Sequence, residues 1–409
     1  MCKLDGVAVI ASILNEANSQ MRKYAVSVLA QLAMSLSGQI AMMSDQVLAR
    51  VIEMLKDPMP NVANAACYCL LKVSTLFIGA QILVSNSVIS ILTDLLYDPE
   101  SILVMKTRCA ATLLQIYRFI PQTSKSPALT KYLHTQLKSP DKNYKLTILQ
   151  LLDQWGEELP QIPISSKVQA HIKALQANLD DCEDSQPCYD TRITGSTYLM
   201  SDLAKSPEVR LELVEAGGVE AILENAKSKN NQLLPRYSFN LLSIIADSNF
   251  GRKKILRYRV IDFAVQLLND QKSPPLLLFS VARFLEVCAQ HKDTGAFLLE
   301  CSGVSCLLNF LEQSRSTTVP PLSIHHLLLL FTDFFISIQT LLCIPALGAI
   351  RYLMIFFEAT INEIRNENTV KLLYEMLTES TEIDGDQSGN RKLRELSWSV
   401  LRMCGETVI

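Results

Sequence analysis

Ser206-Pro-Glu-Val-Arg-Leu-Glu-Leu-Val-Glu-Ala-Gly-Gly-Val-Glu-Ala-Ile-Leu223 is the stretch from which the fold can be read. Proline in the second place opens a short helix, and Gly217-Gly218 breaks it. The Gly-Val-x-x-Ile-Leu run then starts a second amphipathic helix. Downstream, Ser238, Leu242 and Ile245 stand at i, i+4 and i+7, on one stripe of a third helix. Helices with a single apolar face cannot bury those faces alone, so the phrase must recur along the chain.

It does recur. The same triple reads Ala25-Leu29-Leu32, Ala66-Leu70-Val73, Cys109-Leu113-Ile116, Ile148-Leu152-Trp155, Ser196-Met200-Leu203, Ser280-Phe284-Val287, Ser323-Leu327-Leu330 and Leu396-Val400-Met403. Including Ser238, the starts are 41, 43, 39, 48, 42, 42, 43 and 73 residues apart, a period near 42. Between them lies the second phrase, at 6–14, 87–96, 217–223 and 303–311. Asp57-Pro58, Asp98-Pro99 and Ser139-Pro140 punctuate the joints, where proline stops one helix and opens the next.

Composition agrees with helices throughout. Of 409 residues 49% are hydrophobic, only 7% are aromatic and 14 are glycine, which disfavours sandwiches and barrels built from strands and turns. The net charge of −3, from 38 basic and 41 acidic side chains, gives no global field toward nucleic acid or an anionic membrane. Eleven scattered cysteines and an N-terminus without an apolar signal core predict a reducing, cytoplasmic setting.

A period near 42 with a short helix, a Gly-Val-x-x-Ile-Leu helix and an Ala-x-x-x-Leu-x-x-Ile helix resembles the armadillo repeat. The HEAT repeat is the nearest competitor, and the phrase Glu215-Ala-Gly-Gly-Val219 favours armadillo. The resemblance implies an all-α, right-handed α-solenoid of about nine repeats that serves as a non-catalytic scaffold or adaptor for other proteins. Residues 55–99, Leu-Lys-Asp-Pro through Leu-Tyr-Asp-Pro, resemble armadillo proteins of the ciliary radial spoke. They also resemble the armadillo subunit of the ubiquitin-ligase complex that is similar to the yeast glucose-degradation complex. A cilium or axoneme setting is the corresponding expectation.

The predicted organisation is a block of repeats over 1–179, a polar acidic insert over 180–192, a second block over 193–404 with a degenerate segment at 359–390, and a tail over 405–409. The insert, Asp180-Asp-Cys-Glu-Asp-Ser-Gln-Pro-Cys-Tyr-Asp190, reads as an exposed loop. Met1 lies almost directly on a second helix, so the first repeat is expected to lack its opening helix. From Leu327 to Ile350 the only charge is Asp333, long enough for a bilayer span. Repeat phase at Ser323, an acid in the middle of the run and a helix start at Pro345 instead read as buried repeat helices.

In armadillo proteins the last helix of each repeat lines a concave groove, and the resemblance places its groove-facing side chains at the third and seventh positions of the triple. Here these are Ser27/Gln31, Tyr68/Lys72, Ala111/Gln115, Gln150/Gln154, Tyr198/Asp202, Asn240/Ile244, Ala282/Glu286, His325/Leu329 and Trp398/Arg402. Karyopherin-α relatives carry a recurrent tryptophan and asparagine at these places to hold basic peptides. Only Trp398 keeps the tryptophan, with Arg402 where asparagine belongs, so that specificity is not implied. Gln31, Lys72, Gln115 and Gln154 form a polar ladder suited to an extended partner's backbone, with Tyr68, Tyr198 and Trp398 as aromatic anchors. A merely solvated face fits the same polar residues.

Other motifs point to less. Arg252, Lys253 and Lys254 with Arg257 and Arg259 form the densest basic cluster, fit for an acidic segment or for a solvated turn. Asp384, Asp386, Ser388, Gly389 and Glu395 match places of a calcium-binding loop. Arg391 stands where an aliphatic belongs, and Lys392 and Arg394 oppose a cation; a polar loop leading into a helix fits as well. His134, His171, His291, His325 and His326 make no zinc motif, and the cysteines read as small core residues. No nucleophile elbow, phosphate loop or acid–base set is present, so neither an enzyme nor a cofactor is expected. The expected partners are proteins, engaged through an extended segment, rather than nucleic acid or membrane.

Overall fold

The structure, a computed structural model, describes residues 4–34, 36–43, 45–121, 125–159, 166–176, 186–228, 231, 233–270, 272–316, 338–365, 367–382 and 388–404. They contain helices and no strand: the fold is an all-α solenoid. The chain divides into two compact units, Met1–Gln161 and Ile162–Ile409. In the first, α1 (Leu4–Ser12) precedes α2 (Ser19–Leu32). Two three-helix repeats follow: α3 (Leu36–Met42), α4 (Asp45–Glu53) and α5 (Pro60–Val73), then α6 (Phe77–Ser85), α7 (Val88–Tyr97) and α8 (Leu103–Phe119). The helices α9 (Pro127–Gln136) and α10 (Lys142–Gln154) complete the unit's series.

The second unit runs through α11 (Ser166–Gln176) and α12 (Gln186–Leu203), then the repeats α13 (Pro207–Glu215), α14 (Gly218–Ala226) and α15 (Leu233–Ala246), and α16 (Asn249–Arg257), α17 (Val260–Leu268) and α18 (Pro275–Ala289). After them come α19 (Lys292–Glu300), α20 (Gly303–Ser316) and α21 (Ile338–Phe356), and finally α22 (Glu358–Ile364), α23 (Glu367–Glu382) and α24 (Ser388–Met403).

Local chemistry sets the joints. Pro60, Pro127, Pro207 and Pro275 sit in the first turn of their helices, where a missing N–H costs nothing. The Asn18 side chain accepts the N–H groups of Gln20 and Met21, Asp141 that of Tyr144, and Ser248 that of Gly251; each such cap contributes about 1 kcal/mol. Between the first and second helices of four repeats stands one left-handed residue: Ser87 (φ 55°), Gly217 (φ 81°), Arg259 (φ 54°) and Ser302 (φ 59°). That residue turns the chain by 79° between α6 and α7, and by 77° between α19 and α20. Another tight place is Gly251, where a Cβ would lie 2.2 Å from the Ile245 carbonyl oxygen as α16 starts against the end of α15.

Third helices stack in sequence, α2 on α5 on α8 on α10 in the first unit, and α12 on α15 on α18 on α21 on α24 in the second. The residues of the sequence phrase are the buried ones: Leu29, Ala66, Leu70, Cys109, Leu113, Ile148, Leu152, Met200, Leu242, Phe284 and Val400 are shut away from water. Cys67 and Cys109, both buried, bring their sulfurs to 3.7 Å across α5 and α8. The Phe239 ring stacks on Phe263 at 6.1 Å and tilts against Phe284 at 5.7 Å, joining α15, α17 and α18.

Two readings from the sequence change. The triple at Ser323, Leu327 and Leu330 lies outside the described residues, and the helix that stacks on α18 is α21, through the buried stripe Ala346-Ile350-Leu353. Pro345 is inside α21, not at a helix start. Its side neighbours Ile344 and Ala346 are buried, and the packing tolerates the missing donor. Residues 186–190, read as part of an exposed insert, open α12 instead; 180–185 lie outside the described residues. Among the described residues no single helix is long and apolar enough to cross a membrane, and of the run at 327–350 the residues 342–350 are buried.

Neighbouring repeats are also joined by buried guanidinium groups. Arg210 donates to the carbonyls of Ala204 and Lys205 and reaches Asp247 at 3.5 Å. Arg252, 42 residues on, donates to the carbonyls of Ala246 and Asp247 and to both carboxylate oxygens of Asp293 at 3.1 Å. Arg22 repeats the device with the carbonyls of Glu16 and Ala17 and with Asp57 at 2.6 Å. Asp247 also faces His291 at 3.9 Å. Burial works to raise the Asp57 carboxyl, but bonds from Arg22 and the Met59 N–H outweigh it and hold the group below its ordinary value.

Two outcomes follow for stability. In urea unfolding, Ser302→Gly gains and Gly217→Ala loses about 1 kcal/mol, because only glycine takes the left-handed turn without steric cost. Asp57 has a lowered folded pKa, so its contribution is present above its unfolded value, about 3.9, and is lost as pH falls through the folded one. Asp57→Asn therefore lowers Tm at neutral pH, and paired thermal melts show the deficit closing in strong acid.

Candidate functional site

On each third helix the first, fifth and eighth residues of the triple face the core, which turns the third and seventh roughly to the opposite side. In the first unit this outer row is built from α2, α5 and α8. Gln31 is exposed, while Tyr68, Lys72 and Gln115 are half-buried. The Tyr68 ring is held between two cations, Lys72 with Nζ 5.1 Å from its centroid and Arg108 of α8 with Cζ at 4.8 Å. Arg108 is fixed there by donating to the backbone carbonyl and side-chain oxygen of Asn64, both at 2.8 Å. The Tyr68 hydroxyl points to the sulfur of Met34 at 3.5 Å. Gln154, read as the last rung of the polar ladder, is buried and takes no part in the exposed row.

The second unit repeats the pattern with other residues. Tyr198, 57% exposed on α12, meets Tyr237 of α15 edge to face at 5.4 Å, and Arg236 lies over the Tyr237 ring at 5.6 Å. Asp202 is exposed and pairs with Lys205, and Asn240 is half-buried. On α24 the Arg402 guanidinium covers the Trp398 ring at 5.2 Å. His325 and Leu329 lie outside the described residues.

Glu286 of α18 is the row's buried acid. Its side chain is 12% exposed, Arg283 stands at 3.8 Å, and its Oε1 fills the space above Gly348 of α21, where a Cβ would come within 2.3 Å of it. Burial pushes the Glu286 carboxyl above its ordinary value, although Lys392, Arg283 and Arg351 pull the other way. Three cations from three stacked helices thus surround one carboxylate.

Arg108, Arg236, Tyr237 and Arg351 are row residues that the two-position reading misses. A wider helical stripe finds them: Arg108 precedes Ala111 by three, Arg236 and Tyr237 precede Asn240 by four and three, and Arg351 follows Gly348 by three.

The other motifs lie elsewhere. In the basic cluster Arg252 is buried on Asp293, Arg259 is the left-handed turn residue bound to Asp262 at 2.6 Å, and Lys254 lies over the Phe250 ring. Only Lys253 and Arg257 remain as exposed cations of α16 without an assigned structural task. The five residues sit on a first helix and its turn, not on the stacking row. Asp384 and Asp386 lie outside the described residues, while α24 is helical from Ser388, so Gly389 stands within a helix and Glu395 in its middle. A calcium loop needs a sharp turn at that glycine. Among the described residues no group of three or more His, Cys, Asp or Glu side chains is placed to hold a metal.

No protein-family model matches this chain, and no curated protein matches it. Solved structures with a similar course include an engineered protein at 16% identity and TM-score 0.37, covering 98% of this chain and 99% of that one. A second engineered protein gives 16% identity and TM-score 0.33, covering 70% and 98%. A structure from work on a phosphorylation switch that controls the interaction between cadherin and beta-catenin gives 16% identity and TM-score 0.42, covering 98% and 77%.

Glu286 offers a direct check on the site's electrostatics. With a raised folded pKa, its charge opposes folding once pH exceeds the ordinary glutamate value, about 4.3. In paired urea melts Glu286→Gln matches the parent in acid, gains on it as pH rises through that value, and keeps the full advantage above the folded pKa.

Proposed function

We propose that this chain is a non-catalytic protein-binding scaffold of the armadillo type, and that the third-helix row of each unit takes an extended segment of a partner. The observation that carries this reading is the recurrence of aromatic rings with cations on the outer side of stacked helices: Tyr68 with Lys72 and Arg108, Tyr237 with Arg236 and Tyr198, and Trp398 with Arg402. Aromatic and arginine side chains are the residues that anchor interfaces most often.

The spacing suits an extended chain. Packed helices lie roughly 8–10 Å apart, and an extended peptide rises about 3.3 Å per residue, so each helix meets about every third residue of the ligand. Gln31, Gln115 and Asn240 offer amides that both donate and accept, as a peptide backbone requires. An enzymatic reading has nothing comparable behind it, since among the described residues the row gathers no nucleophile with a base in reach.

The test is a random-peptide display selection on the whole chain, followed by binding of the selected peptides to a Tyr68→Ala, Tyr198→Ala, Trp398→Ala variant whose helical content is confirmed by circular dichroism. Loss of about tenfold or more in affinity is expected, the scale of an interface anchor. Peptides that bind the variant as tightly as the parent would overturn the proposal.

A further inference from the structure

Charge is sorted by layer in this molecule. The nine stacking helices α2, α5, α8, α10, α12, α15, α18, α21 and α24 hold sixteen of the chain's 38 lysines and arginines, but only five of its 41 aspartates and glutamates. Twenty-two basic and thirty-six acidic residues are left for everything else. A chain of net charge −3 therefore consists of a stacking layer at +11 and a remainder at −14. The bias holds in each unit: eight basic against one acidic residue on the four helices of the first, and eight against four on the five helices of the second.

Some of this charge is consumed internally, as with Arg22 on Asp57. Much of it is not. Lys72 and Arg108 flank Tyr68, and among the described residues neither forms an ion pair. Arg283, Arg351 and Lys392 leave two positive charges over after Glu286 is counted. Arg402 is exposed on Trp398. Cations left over in this way attract an anionic ligand to the row.

Resting on the reading of the row as a peptide-binding surface, we infer that the segment it takes is acidic: an extended peptide with aspartate or glutamate recurring about every third residue. A basic peptide is repelled by the row's cations, and a nucleic acid strand is the competing anionic probe in the test.

The inference is tested by fluorescence anisotropy on the whole chain. Three labelled peptides of about twelve residues, enough to cross four helices in extended form, share one Gly/Ser frame and carry glutamate, lysine or neither at every third place. Single-stranded oligothymidylate of equal charge is the fourth probe. The glutamate peptide is expected to bind best and to weaken as salt rises. Lys72→Glu, Arg283→Glu and Arg402→Glu combined should weaken it about tenfold and turn preference toward the lysine peptide, with circular dichroism confirming the fold.

The inference is overturned if the lysine or neutral peptide binds the parent as tightly, if the oligonucleotide binds more tightly, if no glutamate peptide binding is found, or if the variant keeps the parent's affinity. Should display-selected peptides still depend on Tyr68, Tyr198 and Trp398 in that case, only the acidic character is lost. Selected peptides indifferent to those three residues would remove the binding row as well.

Discussion

A stacking α-helix of thirteen to nineteen residues with one apolar stripe is not stable in water until something covers that stripe. In each unit the largest part of that cover is the next copy of the same helix. Leu70 of α5, Leu113 of α8 and Leu152 of α10 are each fully buried by their neighbours, and Leu242, Phe284 and Ile350 repeat the arrangement in the second unit. All other features depend on that mutual covering. It fixes the period, forces the short first helix to turn sharply, and leaves one side of every stacking helix outside the core.

The outer side is consequently where sequence is free to vary, and its composition is the most informative part of the molecule. A row that served only to keep the protein in solution would have no reason to collect aromatic rings. Here four of the ring residues, Tyr68, Tyr198, Tyr237 and Trp398, stand on it; cations lie on the faces of Tyr68, Tyr237 and Trp398, one of them, Arg108, reaching Tyr68 from the next helix. Of its acids, Asp202 is exposed and paired with Lys205, while Glu286 is sunk against Gly348 and ringed by basic groups.

The solenoid was legible because its signal is redundant: an apolar triple repeated near every 42 residues survives a few irregular copies. It was less legible at Pro345, which the sequence reads as a helix start and which is embedded in α21, the helix that packs on α18. Proline is a strong local signal, and here tertiary packing overrides it. The outer row was half legible. Tyr68, Lys72, Tyr198 and Trp398 follow from position alone, but Gln154 is buried and Arg108 and Tyr237 fall one turn away from the two positions that a fixed rule inspects. Arg252 shows the limit from the other side: in the sequence it belongs to a basic cluster, and in the fold it is an interior brace.

Asp247 gives the array a property that stacking alone does not. It receives Arg210 from the repeat before it and faces His291 in the one after, while its own carbonyl is taken by Arg252. Apolar covering is strictly a matter between neighbours, so a repeat array held by it alone would fray from its ends one module at a time. A single aspartate that faces groups on both sides couples the opening of one junction to that of the next.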